Sequence, residues 1–126
     1  MEKELVSISI KAKGHSYSPY SKFKVGAALL TQNGKIYIGA NIENASFGAT
    51  ICAERTAVIK AVSDGENKFI AIAITSDSDN YTYPCGICRQ VLSEFDKGDM
   101  KVICSNNSGK FRVLTLRELM PEIFEL

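Results

Sequence analysis

The sequence predicts an α/β fold, a three-layer α/β/α sandwich around a five-stranded mixed sheet. Three observations predict it. An Asn-Gly step joins two early β-rich runs, strand-like and helix-like segments alternate from there onward, and the 126 residues, 45% of them hydrophobic, suffice for one core and not for two. A single domain spanning residues 1–126 is expected.

The elements follow in chain order. Residues 2–15 space Leu5, Ile8 and Ala12 among lysines, a helical pattern that Gly14 stops. Residues 23–30 and 35–41 read as strands on either side of Gln32-Asn33-Gly34, so the sheet opens with an antiparallel hairpin. The small residues 44–50 read as a loop feeding a helix over 52–62, with Thr50 as N-cap and Ser63-Asp64-Gly65 as the stop. Residues 69–75 are apolar and β-branched, and a polar loop over 76–84 leads into a second helix over 85–95 with Ile87, Val91, Leu92 and Phe95 on one side. Residues 101–104 and 111–114 flank Asn106-Asn107-Ser108-Gly109 as the last two strands, and Thr115 opens a closing helical turn that reaches Leu119.

Composition narrows the function. A formal net charge of +1 offers no electropositive face for a phosphate backbone, which argues for a small ligand and against nucleic acid. No apolar run approaches the roughly 20 residues that span a bilayer, and the opening segment lacks an apolar stretch with a small-residue cleavage site, so a cytoplasmic protein without membrane contact is expected. In a reducing compartment four cysteines are metal ligands or buried thiols rather than disulfides. Cys52, Cys85 and Cys88 sit at turns and helix starts and look chemical, whereas Cys104 sits in the apolar run Val102-Ile103-Cys104 and looks structural.

The chemistry is carried by Cys52-Ala53-Glu54 at one helix start and Pro84-Cys85-Gly86-Ile87-Cys88 at another. Cys85 and Cys88 lie three apart and share a helix face. One ion can take both sulfurs and a third from Cys52, with a corner left open, which is the arrangement of catalytic zinc. Three thiolates load the ion with electron density, and two helix N-termini together with Arg55 can offset it. Glu54, beside a metal ligand, is placed to carry protons during hydrolysis. Two other readings of the cysteines remain at this point. A redox CxxC needs no metal, and a structural zinc site needs a fourth ligand from Cys104, His15 or a carboxylate.

These motifs, with residues 17–28 (YSPYSKFKVGAA) and Gly39-Ala40-Asn41-Ile42-Glu43-Asn44-Ala45, make the chain resemble the short, nucleoside-acting cytidine deaminases over nearly its whole length. The resemblance implies one Zn²⁺ per subunit on Cys52, Cys85 and Cys88, with Glu54 as general acid and base and Arg55 tempering the thiolates. It further implies that Asn41 and Glu43 hold the ribose hydroxyls, that the Ala53 backbone and Glu54 address the base, and that Phe23 packs beside the pyrimidine. A homotetramer is implied, with sites at subunit interfaces and Phe124 reaching a neighbour's pocket. The implied reaction is hydrolysis of free cytidine and deoxycytidine to uridine and deoxyuridine with release of ammonia, a step of pyrimidine salvage. A charged Glu43 beside the 3′ hydroxyl would repel a phosphodiester there. The alternative substrate is a related cytosine nucleoside such as blasticidin S, whose deaminases share the Cys-Ala-Glu and Pro-Cys-x-x-Cys core.

Overall fold

The computed structural model describes all residues, 1–126. Helix α1 (Glu2–Ala12) runs through a short 3-10 turn, Lys13–His15, before the sheet begins. Strands β1 (Val25–Thr31) and β2 (Ile36–Ala40) form the expected hairpin, with Leu30 opposite Ile36. Helix α2 (Ala53–Ser63), strand β3 (Phe69–Ser76), helix α3 (Gly86–Phe95), strands β4 (Lys101–Ser105) and β5 (Phe111–Thr115) and the one-turn helix α4 (Leu116–Leu119) follow. The sheet order is β2-β1-β3-β4-β5, with β3 and β4 parallel and every other pair antiparallel. The five-stranded mixed sheet predicted by the sequence is present.

Strand alternation divides the core into two layers. Ala27 and Leu29, Ile72 and Ile74, and Val102 and Cys104 face one way and pack with Ala53, Ala57, Val58 and Ala61 of α2 and Leu92 of α3. The intervening Ala28, Ala71, Ala73 and Ile103 face the other way, against Leu5 and Val6 of α1. Each fully buried Leu or Ile contributes about 1.5–3 kcal/mol of transfer free energy. The α1 layer is thin because its strand residues are mostly alanines, so Ser9 reaches Thr75 with a 2.6 Å hydrogen bond between buried hydroxyls.

Two glycines set how closely the helices approach. A Cβ on Gly39 would lie 2.3 Å from Ala53 O and 2.6 Å from Ala57 N, inside the first turn of α2. A Cβ on Gly26 would meet Ser9 O at 2.2 Å and Lys13 N at 2.6 Å, on the opposite face. Gly39 therefore seats the start of α2 against β2, which fixes where Cys52 and Glu54 stand.

One element boundary departs from expectation. Thr50 does not cap α2. It is extended and follows a 3-10 turn, Phe47–Ala49, that sits within the expected loop. Cys52 is the N-cap, with its carbonyl accepting from Thr56 N at 3.0 Å and its side chain making no capping bond. The reason is geometric: the bridge between Ile42 and Ile51 holds the chain extended through this stretch, so the helix cannot begin before it.

Candidate active site

Helices α2 and α3 lie on the same face of the sheet, and both begin at a cysteine. Cys52 and Cys85 are extended N-cap residues that spend no side-chain hydrogen bond on capping, so both sulfurs are free to turn toward a common point. Cys88, one turn into α3, is buried beneath them. The Cys52 and Cys85 sulfurs lie 3.8 Å apart, those of Cys85 and Cys88 lie 3.5 Å apart, and all three fall within 4.8 Å of one another. Tetrahedral zinc with Zn–S bonds of about 2.3 Å requires S···S separations of about 3.8 Å.

The donor set fits such an ion. No fourth cysteine, histidine or carboxylate joins the cluster. Cys104 is buried in the sheet layer against α2 and α3, and His15 lines a separate cavity with Ile38, Thr56 and Lys60. A closed structural zinc site would need a fourth ligand that this cluster does not contain.

The surroundings push the site toward charge separation. Hydrogen bonding from Cys88, with help from Arg55, draws the Cys52 thiol down to about 5 against the opposing cost of burial. Cys88 moves the other way, because it is the donor to Cys52 and is itself buried. Arg55 Nη2 donates to Cys52 Sγ at 3.5 Å, while its Nε is buried with no hydrogen-bond partner.

Glu54 is 5% exposed. Burial raises its carboxyl to about 7, and the nearby Cys52 charge adds to the rise. A carboxyl balanced at neutral pH both takes and returns a proton. Ala53, fully buried, begins α2 between these two residues.

A second cluster gathers the residues expected at the sugar. Asn41 Oδ1 accepts from Val25 N at 3.0 Å and from the Ser16 hydroxyl, while its Nδ2 donates to Phe23 O at 2.8 Å. One amide hydrogen is left for a ligand. Glu43 accepts from Tyr20 N at 3.0 Å, Ser21 N at 3.1 Å and the Ser21 hydroxyl. These bonds, led by the Ser21 hydroxyl, hold its carboxyl below the usual range. Glu43 also lines a cavity of about 420 Å³ with Tyr20, Ser21, Asn44, Phe47 and Thr50. Phe23 presents a partly exposed ring from the segment that Asn41 and Glu43 hold.

Sequence reasoning named Asn41 and Glu43 but missed Ser16 and Ser21, which orient them. Serines in a turn-rich segment carry no signal of their own until the fold brings a carboxylate or an amide against them. Phe124 stands apart from this chain's own thiols. Its ring is 64% exposed beside Gln90, Ser93 and Glu94 on α3.

Three thiols with room for a fourth, non-protein ligand, beside a neutral-range carboxyl on a mixed α/β sheet, fit the class of metal-dependent hydrolases. Comparison with known proteins gives the family. A family model described as the cytidine and deoxycytidylate deaminase zinc-binding region matches residues 1–105. A cytidine deaminase of Sporosarcina psychrophila is 49% identical over 96% of this chain and 89% of its own length. One from Halalkalibacterium halodurans is 48% identical over 95% of this chain and 91% of its own. The crystal structure of cytidine deaminase from Burkholderia pseudomallei superposes with a TM-score of 0.94 at 41% identity, covering 98% of this chain and 99% of that one. The chain belongs to the cytidine and deoxycytidylate deaminase family.

Proposed function

We propose that this protein hydrolyses the exocyclic amine of free cytidine and deoxycytidine, giving uridine or deoxyuridine and ammonia. The observation that carries the reading is the convergence of Cys52, Cys85 and Cys88 beside the buried carboxyl of Glu54. Zinc, when held by the three thiolates, supplies acidification of the attacking water. Glu54 takes one proton from that water and delivers it to ring N3 as oxygen bonds to C4. It then carries the second proton to the exocyclic nitrogen, and the C4–N bond breaks to release ammonia. Arg55 steadies the thiolates throughout.

The sugar is read by the other cluster. The spare Asn41 amide hydrogen donates to a ribose oxygen, and the remaining acceptor capacity of Glu43 takes a hydroxyl. Phe23 packs beside the pyrimidine, with the Ala53 backbone and Glu54 addressing the base. The exposed rings of Tyr17, Tyr20, Phe47 and Phe124 support assembly into a homotetramer that completes each site across an interface. No helix is long and apolar enough to cross a membrane. The free thiols suit a reducing compartment, and we place the protein in the cytoplasm.

The test is an ultraviolet assay on zinc-loaded protein with cytidine, deoxycytidine and blasticidin S in parallel. Rapid loss of the cytidine absorbance, abolished by a zinc chelator and restored by zinc, is the expected result. Negligible cytidine turnover beside rapid blasticidin S turnover would overturn the substrate assignment.

A further inference from the structure

We infer that Arg89 is a positioning residue that holds the metal loop in shape by strapping it to the C-terminal segment. The inference rests on the zinc reading above and concerns a residue that touches neither ion nor substrate.

Arg89 lies one residue past Cys88 on α3, and its guanidinium curls back over the first turn. Nε donates to Pro84 O at 2.8 Å, and Nη1 donates to Leu119 O at 2.7 Å. Its own backbone N–H closes the turn on Cys85 O at 3.0 Å. Pro84 is fully buried, and its carbonyl belongs to the peptide plane that leads directly into Cys85. Holding that plane, together with the Arg89 N–H bond to Cys85 O, restrains the backbone on both sides of Cys85, whose sulfur lies 3.5 Å from that of Cys88.

The other end of the strap is equally specific. Leu119 closes α4, where a helix carbonyl has no intrahelical donor. Next along α3, Gln90 Nε2 donates to Phe124 O at 3.2 Å. Consecutive side chains therefore tie the C-terminal segment at two points to the helix that carries two of the three sulfurs. A flat guanidinium suits the task because its donors are set at a fixed angle, whereas an ammonium is a single point.

The experiment measures zinc release to a chromophoric chelator, below the unfolding temperature, from wild-type protein and from Arg89→Met, Arg89→Lys and Arg117→Met. Arg117 is the control. It also braces α4, through Asp99 Oδ1 at 2.9 Å and Lys97 O at 3.0 Å, but makes no bond to the metal loop. Arg89→Met should release zinc about 10- to 100-fold faster, as expected if the affinity lost when groups that orient metal ligands are removed falls on dissociation. Arg89→Lys, which keeps one bond, should fall between it and wild type, and it carries the test alone should Arg89→Met fail to fold. Arg117→Met should match wild type.

Wild-type release rates in the Arg89 variants would overturn the strap, as would equal acceleration in Arg117→Met, which would mean general loosening. A wild-type chain that takes up no zinc is a separate result, and it would overturn the metal reading itself together with the strap.

Discussion

Glu54 stands two residues past a metal-directed cysteine, in the first turn of α2 and on its buried face, and that placement decides its protonation. Removing water raises the carboxyl into the neutral range, whereas Glu43, held by backbone N–H groups and a serine at the surface, stays below the usual range. Replacing Glu54 with Gln keeps the shape and removes the proton carrier. Turnover should fall by at least about 10²-fold while zinc content stays at one per chain, measured by parallel ultraviolet and metal assays. The cysteines separate by the same logic. Cys88→Ala should abolish stoichiometric zinc. Cys104→Ser should keep zinc and instead lose about 1–3 kcal/mol of stability in urea unfolding, because it places a hydroxyl in the sheet layer where Cys104 is fully buried.

Elements, rather than residues, set the distance between the two ligand arms. Gly39 and Gly26 are nearly equal in how little room they leave, but the first faces α2 and the second faces α1. An alanine at either position should cost about 1–3 kcal/mol by overpacking. Only Gly39→Ala should also weaken zinc retention, since it displaces the turn bearing Cys52 and Glu54. Unfolding and chelator competition on the two variants check this.

Another junction, through Asp77, joins the 3-10 turn after α1 and the residue before β1 to the end of β3. Its carboxylate accepts from Lys24 N at 2.9 Å and from Lys13 Nζ at 3.1 Å. The Lys24 backbone bond, then Lys13, lowers its pKa, so its contribution is present above the unfolded value of about 3.9 and fades as pH falls through the lower folded value. Because the group is partly exposed, Asp77→Asn should cost under about 1 kcal/mol near neutrality, with the difference from wild type vanishing in acid.

At the scale of the whole molecule, the site is open in a single chain. Phe47 is 77% exposed, and other aromatic rings lie bare around the segments that hold Asn41 and Glu43. Light scattering on the zinc-loaded protein should report about four times the 13.8 kDa chain mass. Phe124→Ala should raise KM for cytidine while leaving the unfolding midpoint near that of wild type, because Phe124 is 64% exposed in the single chain. A monomer that turns over cytidine at the same rate per chain would refute the shared site.

Read from residues alone, the chain already disclosed its strands, its helices, the three chemical cysteines and the carboxylate beside them. Those signals are local: alternation, an Asn-Gly step, and cysteines at helix starts leave their mark within a few positions. Arg55 is nominated by its place beside Glu54, whereas Asn41, Glu43 and Phe23 are nominated only by the motif likeness. Tertiary structure alone decided what depends on partners distant in the chain. It moved the N-cap of α2 from Thr50 to Cys52 by way of the Ile42–Ile51 bridge. It set Ser16 against Asn41 and Ser21 against Glu43, and it showed Arg89 joining Pro84 to Leu119. A hydrogen bond between residues 30 apart has no periodicity to betray it, and a buried carboxyl acquires its pKa only from the walls that close around it.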